Sequence, residues 1–187
     1  MSRFSVVSLP LAGLKRIERQ RLCDSRGFLS RLFCAGELAQ AGWCKPVAQI
    51  NHTRTYKQGA VRGMHFQRPP YAEMKLVTCM RGRVWDVAVD IRAGSATFLK
   101  WHAEELSDEN NRSMLIPEGF AHGFQALTND VELLYMHSAS YHAEAEGGLN
   151  PRDASLGVRW PLAVSEISER DQAHPAVAGD FPGITLS

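Results

Sequence analysis

The run VRGMHFQ, Val61–Gln67, places one histidine, His65, on a strand-like segment two residues after Gly63 and three after Arg62. The alternation of a regular strand puts Gly63, His65 and Gln67 on one face and Arg62, Met64 and Phe66 on the other. An imidazole beside a cation on a β-scaffold suits proton transfer on an anionic substrate, because imidazole titrates near neutrality. A second run, IPEGFAHGF (Ile116–Phe124), sets His122 behind a Pro/Gly turn.

Working outward, strand-like segments dominate the middle of the chain. They are Val47–Thr55, Ala60–Gln67, Lys75–Met80, Arg83–Ile91, Thr97–Leu106, Ser113–Ile116, Gly123–Leu127 and Val131–Ser138. Most are short and rich in β-branched or aromatic residues, with Gly, Pro, Asn or Asp between them. KLVTCM-RG-RVWDVAVDI reads as a hairpin turning at Arg81-Gly82. Regular spacing of short strands predicts an all-β sandwich or barrel over alternating β and α units. A short helix is expected at Ala35–Ala41, and a helical turn before Pro175 in SEISERDQAHP, the segment that holds Asp171. The last ten or so residues, rich in Gly and Pro, are expected to be loosely ordered.

With 187 residues the chain suffices for one domain with a substantial core and is short for two. A net charge of +1 excludes bulk electrostatic binding of nucleic acid. Cys23, Cys34, Cys44 and Cys79 form no CxxC pair and no zinc-like spacing, so they read as reduced thiols of a cytoplasmic protein. The first residues carry no clean apolar region followed by a cleavage site, and no signal peptide is expected. No stretch approaches the ~20 apolar residues of a membrane span.

Gly59, five residues and then His65 match the opening of the cupin pattern, that of a small double-sheet jelly roll. Pro117-Glu118-Gly119 followed by His122 resembles its second motif. A metal-binding cupin would carry another histidine where Gln67 stands, and Glu73 shares the region of the expected acidic ligand with the cation Lys75. Two histidines and a glutamine are a thin set for a divalent metal, so no metal is expected. His65 is then available as an acid–base group.

The combination of VRGMHFQRPPYAEMKLV (Val61–Val77), GRVWDVAVDIRAGSATF (Gly82–Phe98) and LSDENNRSMLIPEGFAHGF (Leu106–Phe124) resembles the dTDP-4-dehydrorhamnose 3,5-epimerase family. DSRGFLSRLF (Asp24–Phe33) and ELLY (Glu132–Tyr135) extend the resemblance over about Asp24 to Asp171. It implies a single cupin-type jelly-roll domain over residues 1–187, all-β with short peripheral helices, and a homodimer without metal or cofactor. The implied partner is a nucleotide-linked 4-keto-6-deoxyhexose, inverted at C3 and C5. His65 resembles the family's base, Asp171 its dyad partner, Tyr135 the acid on the opposite sugar face and Lys75 the lysine at the keto oxygen. Arg26 and Arg62 resemble residues holding the diphosphate, Phe28 and Gln49 nucleotide contacts, and His122 a second histidine near the sugar.

These residue types suit the chemistry. A C–H beside a ketone is a weak acid, and imidazole is a useful base near neutrality. A carboxylate on the far ring nitrogen fixes the tautomer and favours the imidazolium. A lysine can stabilise the enolate oxygen, and inversion requires a proton donor on the other face. Each residue also has a plainer reading: a hydrogen-bonded strand histidine, a surface lysine, a core tyrosine, a helix-capping aspartate, an exposed arginine. His52, His102, His137, His142 and His174 read as structural or exposed, and Asp86 and Asp90 as structural.

Several positions depart from the family's usual form. Arg31 stands for a glutamate, Ile50 for an aspartate, Met136 for a lysine and Leu115 for a tryptophan. Ser140 replaces the first of two tyrosines, leaving Tyr141, and Glu73-Met74 replaces Gln-Gly before Lys75. GGLNPRD also lacks a tryptophan. These departures are expected around the base- and sugar-recognition positions. The alternatives are therefore an epimerase acting at one carbon, one for another nucleotide-linked 4-keto sugar, or a non-catalytic module that binds such a sugar.

Overall fold

The computed structural model describes residues 2–177 and 181–186. Thirteen strands run in the order β1 (Phe4–Ser8), β2 (Lys15–Arg19), β3 (Arg21–Asp24), β4 (Gly27–Ser30), β5 (Gln49–Thr55), β6 (Val61–Gln67), β7 (Lys75–Arg81), β8 (Arg83–Asp90), β9 (Trp101–Ser107), β10 (Arg112–Ile116), β11 (Phe120–Ala126), β12 (Val131–His137) and β13 (Glu146–Gly148). Among the described residues, helices are limited to α1 (Ala35–Ala39), α2 (Glu169–Gln172) and a 3₁₀ turn at Ala143–Ala145. One sheet has the order β1-β2-β10-β7-β12-β5, the second β13-β6-β11-β8-β9, and β3-β4 form a separate hairpin. This is a two-sheet sandwich, as the strand pattern predicts, and it has the double-sheet jelly-roll architecture that the family resemblance implies.

Alternation along each strand builds three apolar layers. Between the sheets, Val77, Cys79, Met114 and Leu133 meet Val84, Ala88, Phe124 and Ala126. On the outer face of the five-stranded sheet, Met64, Phe66, Val87 and Val89 are covered by Leu149, Leu156, Val177 and Ile184 from the C-terminal segment. Outside the six-stranded sheet, Ile17, Leu76, Leu115 and Met136 pack on Leu38 of α1 and on Trp43. Each fully buried large apolar side chain contributes roughly 1.5–3 kcal/mol. Both faces of β8 and β11 are covered, which explains why they read as near-continuous apolar runs.

Three expectations are corrected. Lys75–Ile91 is not a hairpin: β7 pairs with β10 and β12, whereas β8 pairs with β9 and β11. Gly82, at φ +74°, turns the chain from one sheet into the other. A Cβ there would lie 2.5 Å from Thr128 Oγ1, so glycine is the residue that fits.

Secondly, strict alternation fails in β6. His65 pairs with His122 and Arg62 with Phe124, so three steps along β6 match two along β11. This bulge turns Arg62 to the same cavity as His65. Thirdly, the N-terminal segment, where no strand was expected, is a hairpin in which Leu9 N–H bonds Leu14 O at 3.1 Å around Pro10–Gly13. Of the tail expected to be loose, residues 178–180 and 187 lie outside the described residues. Ile184 bridges to Arg92 and is 6% exposed.

Candidate active site

A cavity of about 210 Å³ opens between the sheets, above the apolar interior. The inner face of β12 contributes Tyr135 and His137, two residues apart and so on one side of the strand. Their register partners are Asn51 and Val77 for Tyr135, and Gln49 and Lys75 for His137. From the opposite sheet, β6 supplies Arg62, His65 and Gln67, and β11 supplies His122 and Phe124.

His65 is half-buried, and its Nε2 lies 2.8 Å from Asp171 Oδ1. The other oxygen, Oδ2, accepts the Gly63 N–H at 3.0 Å. Asp171 rides on α2, whose first turn is capped by Ser168 Oγ accepting the Asp171 N–H at 3.1 Å. Burial opposes ionisation of Asp171. The His65 bond, the Gly63 N–H and the neighbouring charges of His65 and Arg170 outweigh it, and hold the carboxyl at about 2. Arg170 Nη2 stands 3.3 Å from His65 Nε2, and the His174 ring meets the His65 ring edge-on at 5.9 Å. Burial, followed by the His65 charge, pushes the His174 imidazole down and keeps it neutral. Ligand atoms of His65, Asp171 and His174 lie within 4.8 Å of one another.

A second dyad lies beside the first. His122 is opposite His65 in register, and its Nε2 is 2.7 Å from Asp86 Oδ1 on β8. Asp86 is fully buried; burial pushes its carboxyl up while His122 pulls against it. The Tyr135 ring packs edge-on to His122 at 5.9 Å and parallel to His137 at 6.0 Å. Burial, then the Asp86 charge, push the Tyr135 hydroxyl up, so it remains a proton donor at neutral pH. Lys75 is buried; its Nζ lies 3.1 Å from Glu73 Oε1 and donates to the His65 carbonyl at 3.3 Å. Gln67, which stands where a metal-binding cupin carries histidine, spends its amide on Tyr71 O, Ser140 O and Glu73.

His65, Asp171, Tyr135, Lys75, Arg62 and His122 thus converge. Gln49 sits at the rim, bonded to Asn51 at 3.0 Å and to the Tyr141 N–H at 2.9 Å. Arg26 and Phe28 do not join them. Both are on the β3–β4 hairpin, which borders a different cavity. Arg26 pairs with Asp24, and the Arg21 guanidinium lies over Phe28. Asp86, His137 and His174, expected to be structural or exposed, pair with His122, line the cavity and touch His65 respectively. His137 was findable, two residues after Tyr135 on one strand; no local signal pairs Asp86 with His122.

The departures are also sorted by the fold. Leu115 and Met136 face the outer layer, Ile50 is exposed, and Arg31 pairs with Glu37. Among the described residues only Glu73 of these substituted positions lines the cavity.

Residues 8–179 match the family model described as dTDP-4-dehydrorhamnose 3,5-epimerase. A protein of that name from Salmonella typhimurium is 45% identical over 172 residues, covering 91% of this chain and 93% of its own. The crystal structure of an epimerase from Legionella pneumophila in complex with dTDP-4-keto-L-rhamnose superposes with a TM-score of 0.90 at 34% identity, covering 98% of this chain and all of its own. A 3′-monoepimerase from Streptomyces bikiniensis in complex with dTDP-quinovose superposes at 0.84 with 33% identity, covering 90% and 85%.

Proposed function

This chain belongs to the dTDP-4-dehydrorhamnose 3,5-epimerase family, and from that premise we propose how its cavity carries out the inversion. The protein is an isomerase that converts dTDP-4-dehydro-6-deoxy-D-glucose to dTDP-4-dehydro-L-rhamnose. His65 takes the proton next to the C4 ketone. With Nε2 committed to Asp171, the other ring nitrogen, Nδ1, receives it, and the carboxylate stabilises the imidazolium. The C–H electron pair moves into the enolate, and Lys75 donates to its C4 oxygen. Tyr135 returns a proton from the opposite sheet, hence to the opposite sugar face, and the carbon is inverted. The observation that carries this reading is that His65 on β6, paired with Asp171 of α2, and the Tyr135 hydroxyl on β12 face one cavity from opposite sheets.

His122, buried with Asp86, keeps an imidazole beside Tyr135 and lines the sugar end. Arg62, turned into the cavity by the bulge, and Gln49 at the rim suit the diphosphate and nucleotide. Arg26 and Phe28 lie away from the cavity of their own chain, on a hairpin where Phe28 is 60% and Leu29 69% exposed. That supports a homodimer in which each hairpin reaches the partner's nucleotide. The free thiols suit a reducing cytoplasm. No described helix is long and apolar enough to cross a membrane.

Turnover of dTDP-4-dehydro-6-deoxyglucose in heavy water tests the reading. Deuterium at both C3 and C5 is expected. Deuterium at C3 alone would make this chain a one-carbon epimerase like its monoepimerase relative, and binding without label would overturn catalysis on this substrate.

A further inference from the structure

The cavity holds a third imidazole–carboxylate pair, to which the reaction as described assigns no role. Glu73 precedes β7 and is largely enclosed beside the buried Lys75, the two side chains being 9% and 8% exposed. Its Oε1 lies 3.1 Å from Lys75 Nζ. Its Oε2 faces His137 Nδ1 at 3.1 Å and accepts from Gln67 Nε2 at 3.2 Å. Both oxygens are therefore held, by groups from three strands. Burial opposes ionisation of Glu73, but the Lys75 charge and His137 outweigh it and hold the carboxyl below its usual range. The group facing Lys75 is an anion.

An ammonium has three N–H donors on a flexible stem. Lys75 donates one to the His65 carbonyl and is held against the Glu73 carboxylate in an ion pair at 3.1 Å. One donor is left for an oxygen in the cavity that Lys75 lines. We propose that Glu73 is a positioning residue for Lys75: clamped by His137 and Gln67, its carboxylate fixes the ammonium so that the one uncommitted N–H points at the C4 oxygen of the substrate. This rests on the assignment of Lys75 to the keto oxygen. The carboxylate offsets part of the lysine charge, so its benefit is geometric. A donor already in place needs no reorganisation as the enolate forms. His137 acts through Glu73, by holding the oxygen that Lys75 does not use.

Steady-state kinetics of Lys75→Ala, Glu73→Ala, Glu73→Gln and Glu73→Asp, each checked by circular dichroism and thermal melting, decide the matter. Lys75→Ala should lower kcat about 10²–10³-fold. Glu73→Ala should lower kcat roughly 10–100-fold, with KM changed less than about threefold, because binding survives while the donor is misplaced. Glu73→Gln keeps an acceptor for Lys75 and should recover most of kcat. Glu73→Asp keeps the charge but draws the anchor back, and should lose about tenfold in kcat. Should Glu73→Ala fail to fold, Glu73→Asp decides. If Lys75→Ala loses kcat while the alanine and aspartate variants keep it, the positioning role is overturned and the reading of the site stands. If Lys75→Ala keeps full kcat, the assignment of Lys75 itself falls.

Discussion

Replacing Asp171 by asparagine separates the charge of the His65 dyad from its shape. In the folded protein the carboxyl sits at about 2, against an ordinary 3.8. Asp171 is only 3% exposed, so solvent screening reduces the effect little. The difference corresponds to about 2 kcal/mol of stability. Because the folded value lies below the unfolded one, this contribution is complete above about pH 4 and is lost as the pH falls towards about 2. Asp90, held at about 2 against burial by Arg92, Ser95 and Thr97, adds an acid slope to both proteins, and the difference between their curves isolates Asp171. At neutral pH, Asp171→Asn should lower Tm by roughly 4–8 °C for a chain of this size. Turnover should fall roughly 10²–10⁴-fold, since an amide cannot stabilise the imidazolium. Equilibrium unfolding in urea across the acid range, with kinetics near neutrality, provides both readouts. Identical acid slopes in wild type and variant, or full turnover by the variant, would refute the reasoning.

Three further outcomes follow from the same geometry. Tyr135→Phe removes the donor on the face opposite His65; inversion should fall about 10²–10⁴-fold while solvent exchange on the base side persists by NMR, and equal loss of both would remove Tyr135 as the donor. Gly63→Ala places a Cβ 2.5 Å from Gly123 Cα and 2.8 Å from His122 O at φ +122°. It should cost about 1–3 kcal/mol in a urea melt and depress turnover with it, and a neutral substitution would contradict the close β6–β11 approach. Exhaustive chelation should leave activity intact; its loss, with recovery on adding zinc, would put an ion among His65, Asp171 and His174.

Local pattern was enough for much of this protein. Short β-branched runs separated by turn residues specify an all-β chain, because a strand's preference and its half-buried pattern are properties of neighbouring residues. His65 with Gln67 in place of a second histidine likewise pointed to proton transfer over metal chemistry. The turn at Gly82, the bulge that brings Arg62 round beside His65, and the hairpin at β1–β2 depend on which strand lies across the way. Pairing partners are separated by tens of residues, and one inserted residue reverses a face.

The same division runs through the site. His65, Lys75, Tyr135 and Asp171 are recognisable in the chain as types suited to enolate chemistry, together with the fold and family that imply them. Only the tertiary structure seats the His65 imidazole against Asp171 of a helix 106 residues away. It also buries Asp86 with His122, and closes Glu73, His137 and Lys75 into one cluster. Those groups draw their ionisation states from burial and from partners on other strands, and a sequence holds neither until the sheets have met.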